Sequence, residues 1–211
     1  MTMPPSRTLN GVACLALLCL AGCGMGSKPG EVRQTFLLQV STPAQTGAPL
    51  PGVLLVGGMD VSEAFAGKQM VYRFEEHRYQ SDYYNEFLVA PRDMLGQRVL
   101  EWLQRARLYE TVAPLAGTRL PEALVLRGLV NEMYADARDP ARPAAVLSLQ
   151  VYITSEQAEG KPMRFAQQFR NVAPMSDASA QAYADALSRA LEAVLTEAEK
   201  QIRAAASNGE G

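Results

Sequence analysis

The sequence predicts an α+β domain: a mostly antiparallel, mixed sheet of about five to seven strands with two main helices packed on one face. Three patterns lead there. Two long stretches, opening at Pro91 and near Ser176, repeat apolar residues with the period of a helix. Shorter stretches before and between them alternate apolar and polar residues, as half-buried strands do. Loops rich in Gly, Pro and Asp separate them. Helices gathered on one face of a largely antiparallel sheet is the economical way to bury such elements around one core.

Size and charge narrow the class. The 211 residues suffice for one domain, and 48% hydrophobic with 20% charged residues is the mix of a globule. No run of 18 apolar residues offers a membrane-spanning helix. A net charge of −2 without a basic cluster argues against a nucleic-acid partner.

The N-terminus is a separate matter. Arg7 precedes an apolar run from Val12 to Ala21, too short to cross a bilayer and of signal-peptide length. The run ends in Leu20-Ala21-Gly22-Cys23, which resembles the lipobox of bacterial lipoproteins at all four positions. The resemblance implies a signal peptide over residues 1–22, cleavage before Cys23, and acylation of the Cys23 thiol and the new amine. Several acyl chains, at about 0.8 kcal/mol per buried methylene, hold a protein to a bilayer almost permanently. All three cysteines (Cys14, Cys19 and Cys23) lie in this segment, so the mature domain has none to pair. Gly24 stands where the sorting rules of such lipoproteins place an inner-membrane aspartate, which implies the outer membrane, facing the periplasm. Residues 23–31 read as a lipidated cysteine and flexible tether, 32–205 as one periplasmic domain, and 206–211 as a frayed tail.

Within the domain, Val32 to Val40 reads as a first strand and Gly52 to Val56 as a second, closed by a Gly57-Gly58 turn. Gln69 to Phe74 and His77 to Phe87 form a hairpin around Glu75-Glu76. Pro91 opens a helix running to about Arg107, with Leu95, Val99, Trp102, Leu103 and Ala106 on its buried side. Tyr109 to Val112 is a short strand. Glu122 to Tyr134, Ala145 to Thr154 and Met163 to Val172 form an antiparallel meander with one wet face. Gly128 suggests a bulge in the first of these. Ser176 is the expected N-cap of the last helix, whose apolar stripe runs from Ala180 to Ile202 and leaves Glu192, Glu197, Glu199 and Lys200 outside it.

Catalytic chemistry has little to stand on. His77 is the single histidine, no Gly-x-Ser-x-Gly turn occurs, and the donor set suits neither zinc nor calcium. No catalytic, cofactor-binding or metal-binding residue is expected. Glu75 and Glu76 are neighbours, which on a strand would point apart, so a turn is the simpler reading. The surface feature that stands out is aromatic: Tyr79, Tyr83, Tyr84 and Phe87, a candidate contact patch for a partner protein or a lipid, or else half-buried strand packing.

The order of features then resembles a known family. After the lipobox and tether come Phe36-Leu37-Leu38, the apolar Val53 to Val56 and Val71-Tyr72-Arg73. A tyrosine-rich strand then leads through Tyr83-Tyr84-Asn85-Glu86-Phe87-Leu88-Val89-Ala90 into the helix at Pro91, and a late sheet and long C-terminal helix follow. This resembles the ABC-type transport auxiliary lipoprotein family, PqiC-like components of MCE lipid transport systems. Many members carry Trp-Ala-Glu-x-Pro before that helix; here the tryptophan is absent and Phe87 stands in its region. The resemblance implies a non-enzymatic, outer-membrane adaptor without cofactor that docks an MCE-family periplasmic protein. It further implies assembly as a ring of identical subunits and contact with phospholipid. The residues alone also leave open an envelope-assembly or regulatory lipoprotein, acting on peptidoglycan synthases or lipopolysaccharide machinery.

Overall fold

The computed structural model describes residues 32–115, 120, 122–155 and 163–208. The signal-like segment, Cys23 and the tether to residue 31 lie outside them, as do the Gly160-Lys161-Pro162 connection and residues 209–211. Arg33–Gly211 is the compact unit that carries the fold. In chain order it contains β1 (Gln34–Phe36), β2 (Leu50–Val61), β3 (Gln69–Arg73), β4 (Tyr79–Phe87), α1 (Pro91–Ala106), β5 (Tyr109–Pro114), β6 (Leu124–Asp136), β7 (Ala144–Ser155), β8 (Met163–Pro174) and α2 (Ala180–Asn208). The class is the expected α+β, with eight strands, slightly more than the five to seven foreseen.

The sheet is organised around β6. One edge of β6 pairs antiparallel with β7 from Leu124↔Ser155 to Asp136↔Ala144, and β7 pairs antiparallel with β8. This is the predicted meander. The other edge of β6 is shared: β2 pairs parallel with its first half and β3 parallel with its end, at Tyr72↔Ala135 and Arg73↔Asp136. Beyond β2 lies β5, parallel. Beyond β3 lie β4, antiparallel through the predicted hairpin, and then β1, parallel to β4.

Both helices bury their apolar stripes in one continuous core. Met94, Leu95, Val99, Trp102 and Leu103 of α1 meet Tyr183, Leu187, Leu191, Val194 and Ile202 of α2 over the sheet. Pro91 sits in the first turn of α1, and Arg107 closes the helix in the left-handed conformation at φ 50°. On the helix-free face the polar side chains pair across strands. Ser148 accepts a hydrogen bond from Gln168 at 2.8 Å, and Arg170 donates to Glu132 at 2.7 Å.

Four local expectations are corrected. Gly57-Gly58 is not a turn; β2 runs through it, and its register with β6 shifts between Val56 and Met59. Gly128 is not the bulge; its pairing with Val151 is regular, and the slip falls between Val130 and Glu132. The reason for glycine there is close approach, because a Cβ at 128 would overlap Met59 Sδ. Ser179 rather than Ser176 caps α2, its Oγ accepting from the Ala182 N–H at 3.1 Å. Finally, Glu199, placed outside the apolar stripe, is buried all the same. Its carboxylate accepts from Thr46 Oγ1 at 2.7 Å and from Arg203 Nε at 3.0 Å. The last helix also continues to Asn208, into the stretch expected to fray.

Glu199 belongs to a strap that sequence periodicity could not show. Residues 37–49 contain no helix or strand but run along α2, fastened by side chains. The Gln39 N–H donates to Ser188 Oγ, Ser41 Oγ donates to Glu192, Thr46 to Glu199, and Arg203 donates to the Ala48 carbonyl at 2.7 Å. Leu38, near the start of the strap, is fully buried. The residues at 188, 192, 199 and 203 recur on one side of the helix.

Two expectations for stability follow from these contacts. Gly128→Ala should cost about 1–3 kcal/mol by overpacking against Met59. Gly96→Ala, where a Cβ meets nothing nearer than Met59 Cγ at 4.0 Å, should instead add roughly 1 kcal/mol of helix propensity to α1. Opposite shifts in urea midpoint check the pair. Glu199→Ala should cost about 3 kcal/mol, because it leaves the largely buried Arg203 without its counter-charge, and limited proteolysis should then cut within residues 37–49.

Candidate functional site

The tyrosine-rich strand β4 does not present one patch. It divides its aromatic residues among three environments, and the cause is a local excursion of the backbone. Against β3 the pairs Gln69↔Glu86 and Val71↔Ser81 are separated by two residues on β3 but five on β4. The extra chain bulges outward and is held by Asp82, whose carboxylate accepts from the Tyr84 N–H at 2.8 Å, the Asn85 N–H at 3.0 Å and the Asn85 amide at 2.9 Å.

Tyr83 and Tyr84 stand on this bulge. Tyr83 is 69% exposed, and the two rings meet edge to face at 5.0 Å. The Arg33 guanidinium lies 4.9 Å above the Tyr83 ring, a cation–π contact that joins β1 to the bulge. Tyr79 lies elsewhere, on the helix-free face. It pairs across the hairpin with Arg73 and packs edge-on against Tyr134 at 5.4 Å, with Phe65 at 6.3 Å. Phe87, expected in the patch, is fully buried in the core against Tyr183 at 6.4 Å, which corrects its assignment as a surface contact. The register forces this: Phe87 pairs with Phe36 beyond the bulge, on the side that faces α2.

Between the bulge and the start of α2 lies a pocket of about 510 Å³, lined by Tyr72, Phe74, Asp82, Tyr84, Ala178 and Ser179 among others. Tyr72 reaches from it to Tyr183 at 5.6 Å. Burial, followed by the nearby Asp82 charge, pushes the Tyr72 hydroxyl up to about 12. Burial, followed by Tyr72, holds Tyr183 well above the ordinary tyrosine value. The Tyr183 hydroxyl has no hydrogen-bond partner among the described residues, so no donor offsets the desolvation that keeps it protonated.

The remaining candidates lie at the hairpin turn. His77 is exposed, and Glu75 and Glu76 pair with Arg78 at 2.9 Å and Arg73 at 3.6 Å, as turn residues do. Sequence reading missed other residues near the bulge: Leu37, Leu88 and Val89 are all exposed. Leu88-Val89 could have been noticed as an apolar pair that fits neither the strand before it nor the helix after it.

The molecule is thus a small α+β domain with a branched sheet, and among the described residues no helix is long and apolar enough to cross a membrane. The same fold occurs in a protein from Xanthomonas campestris, at 18% identity and a TM-score of 0.72 over 84% of this chain and all of that one. A second solved structure, of an uncharacterized protein, is similar at 13% identity and a TM-score of 0.65, over 82% of this chain and 99% of its own. No curated protein matches the chain. The family model for the ABC-type transport auxiliary lipoprotein component matches residues 36–198, and the chain belongs to that family. It is a lipoprotein-family auxiliary component of ABC-type transport.

The buried tyrosines set an alkaline limit on the fold. Unfolded tyrosines ionise near pH 10, whereas Tyr72 and Tyr183 hold their protons to higher pH in the native state. Above about pH 10 the unfolded state therefore binds fewer protons, and stability falls as pH rises. Thermal melting from pH 8 to 12 should show this loss, with a shallower decline for Tyr72→Phe.

Proposed function

We propose that this chain is the outer-membrane-anchored auxiliary lipoprotein of an MCE-type ABC lipid transport system. It acts as a non-catalytic adaptor that docks the periplasm-spanning MCE protein at the membrane. Membership of the auxiliary lipoprotein family is the observation that carries the reading. The Leu20-Ala21-Gly22-Cys23 lipobox supports it by supplying the anchor, with residues 1–22 as the signal peptide and Cys23 as the lipidated residue.

The physical logic is that of a tethered module. Gly24 to Gly30 extends at most about 23 Å, so the domain works next to the membrane that holds its acyl chains. β4 offers two separate contacts: Tyr79 with Arg73 on the helix-free face, and the Tyr83–Tyr84 pair on the bulge. Identical subunits side by side would repeat these contacts in a ring around the partner's end.

Intact-mass analysis of the native protein should show acyl chains on Cys23. Cys23→Ser should lose both the chains and the membrane anchor with little change in melting temperature, since the core begins at Leu38. Capture of the acylated protein from solubilised envelopes should recover an MCE-family protein. Recovery of a peptidoglycan synthase in its place, or a bare residue 23, overturns the reading.

A further inference from the structure

We infer that the β1–β4 edge of the sheet rests on the bilayer surface, with Tyr83, Tyr84, Leu88, Val89 and Leu37 seated in its headgroup layer. The inference rests on the Cys23 anchor proposed above and names the surface that the bulge contacts.

The first support is distribution. Among the described residues of Arg33–Gly211, nine large hydrophobic side chains are exposed, and these five are the majority of them. They gather along one edge. Gln34 pairs with Asn85, Arg33 covers Tyr83, and the Leu88 N–H donates to the Phe36 carbonyl at 2.9 Å. The bulge that turns the tyrosines outward is locked by three hydrogen bonds to Asp82, so their exposure is built into the backbone.

The second support is the path of the chain. The compact unit begins at Arg33, in contact with Tyr83. Nine residues lie between Cys23 and Arg33, a reach of at most about 33 Å from one to the other. An anchored domain therefore meets the bilayer as an intramolecular partner, at an effective concentration in the millimolar range. A contact too weak to bind a free protein then suffices to orient this one.

The third support is chemistry. Tyrosine, with an apolar ring and a polar tip, is the side chain suited to the membrane–water boundary. Leu and Val beside it add apolar area. Arg33, and Lys68, whose Nζ donates to the Leu88 carbonyl at 3.0 Å, bring cations to the level of lipid phosphates. The helix-free face of β6, β7 and β8 carries ion pairs and hydrogen-bonded polar side chains that would lose water on lipid, so it does not compete for the same role.

The test uses full-length acylated protein in phosphatidylethanolamine–phosphatidylglycerol vesicles with bromine on the upper acyl chain. Tyr83→Trp and Leu88→Trp are compared with Gln167→Trp on the opposite edge strand, over the constant background of buried Trp102. Tryptophan at 83 and 88 should lose a large part of its emission to bromine while that at 167 keeps its own. Equal quenching at all three sites in protein whose mass shows the acyl chains overturns this inference and leaves the anchor standing. Protein that is bare at Cys23 and leaves the vesicles overturns both. Tyr83→Cys that forms disulfides between copies in the same vesicles assigns the edge to a second subunit and also overturns it.

Discussion

The fold depends on β6 holding three neighbours. A strand normally has one partner on each edge; β6 gives one edge wholly to β7 and divides the other between β2 and β3. The division is possible because the short 3₁₀ turn Glu63–Phe65 lifts the chain off β6 after Val61, where the Ser62 N–H donates to the Val130 carbonyl, and returns it at Tyr72. Each half of the shared edge thereby finds a partner for its backbone groups, as burial favours. The consequence is a sheet of two wings. β2 carries β5 in one direction, and β3 carries β4 and β1 in the other. α1 leaves β4 in the second wing and delivers the chain to β5 in the first, bridging the fork from above. Met59 of β2 lies between helix and sheet, in reach of Gly96 on one side and Gly128 on the other.

The strap secures what the ladder does not. β1 is only three residues long and pairs with a single neighbour, so its backbone hydrogen bonds alone would hold it weakly. The segment that follows is fastened to α2 from Ser188 to Arg203, with the buried Glu199–Arg203 pair at its far end. That pair is costly to desolvate and is retained with three further partners, Thr46 and the carbonyls of Ala48 and Ala106. It ties the strap to the C-terminal half of the long helix. The start of the domain is thus held against the bulge of β4 instead of fraying from the sheet.

What the sequence disclosed and concealed follows from the range of the interactions. Helix α1, the β3–β4 hairpin and the β6–β7–β8 meander are governed by neighbours in sequence and by period, and were legible. The two-against-one pairing of β6 depends on residues more than sixty positions apart, as in Tyr72↔Ala135, and was not. Glycine misled in both directions for the same reason. Gly57-Gly58 has the composition of a turn yet sits inside a strand, while Gly128 is dictated by a sulfur from β2 that no local pattern announces. Glu199 falls outside the apolar stripe of its helix, and its burial was hidden because its cover arrives from the strap. Of the aromatic patch, Tyr83 and Tyr84 were legible as surface residues, but the bulge that separates them from Phe87 could not be read from alternating polarity.

That bulge also decides how the molecule can be oriented. A regular β4 would keep Tyr79, Tyr83 and Phe87 on one face, and any contact through one would involve the others. With three residues extruded, Phe87 joins the core, Tyr79 turns to the helix-free face and Tyr83 projects from the edge. Contacts of different kinds can then be made independently by one short strand. With the β1–β4 edge on lipid, the sheet stands with its strands stacked away from the membrane through β3, β6 and β7 to β8. At about 4.8 Å per strand, β8 lies roughly 24 Å further from the lipid. Its exposed Arg164, Gln167, Gln168 and Arg170 then face the aqueous side. In that orientation the apolar β1–β4 edge meets lipid and the charged and amide side chains of β8 meet water, the arrangement a module needs to hold one partner in the membrane and meet another in water.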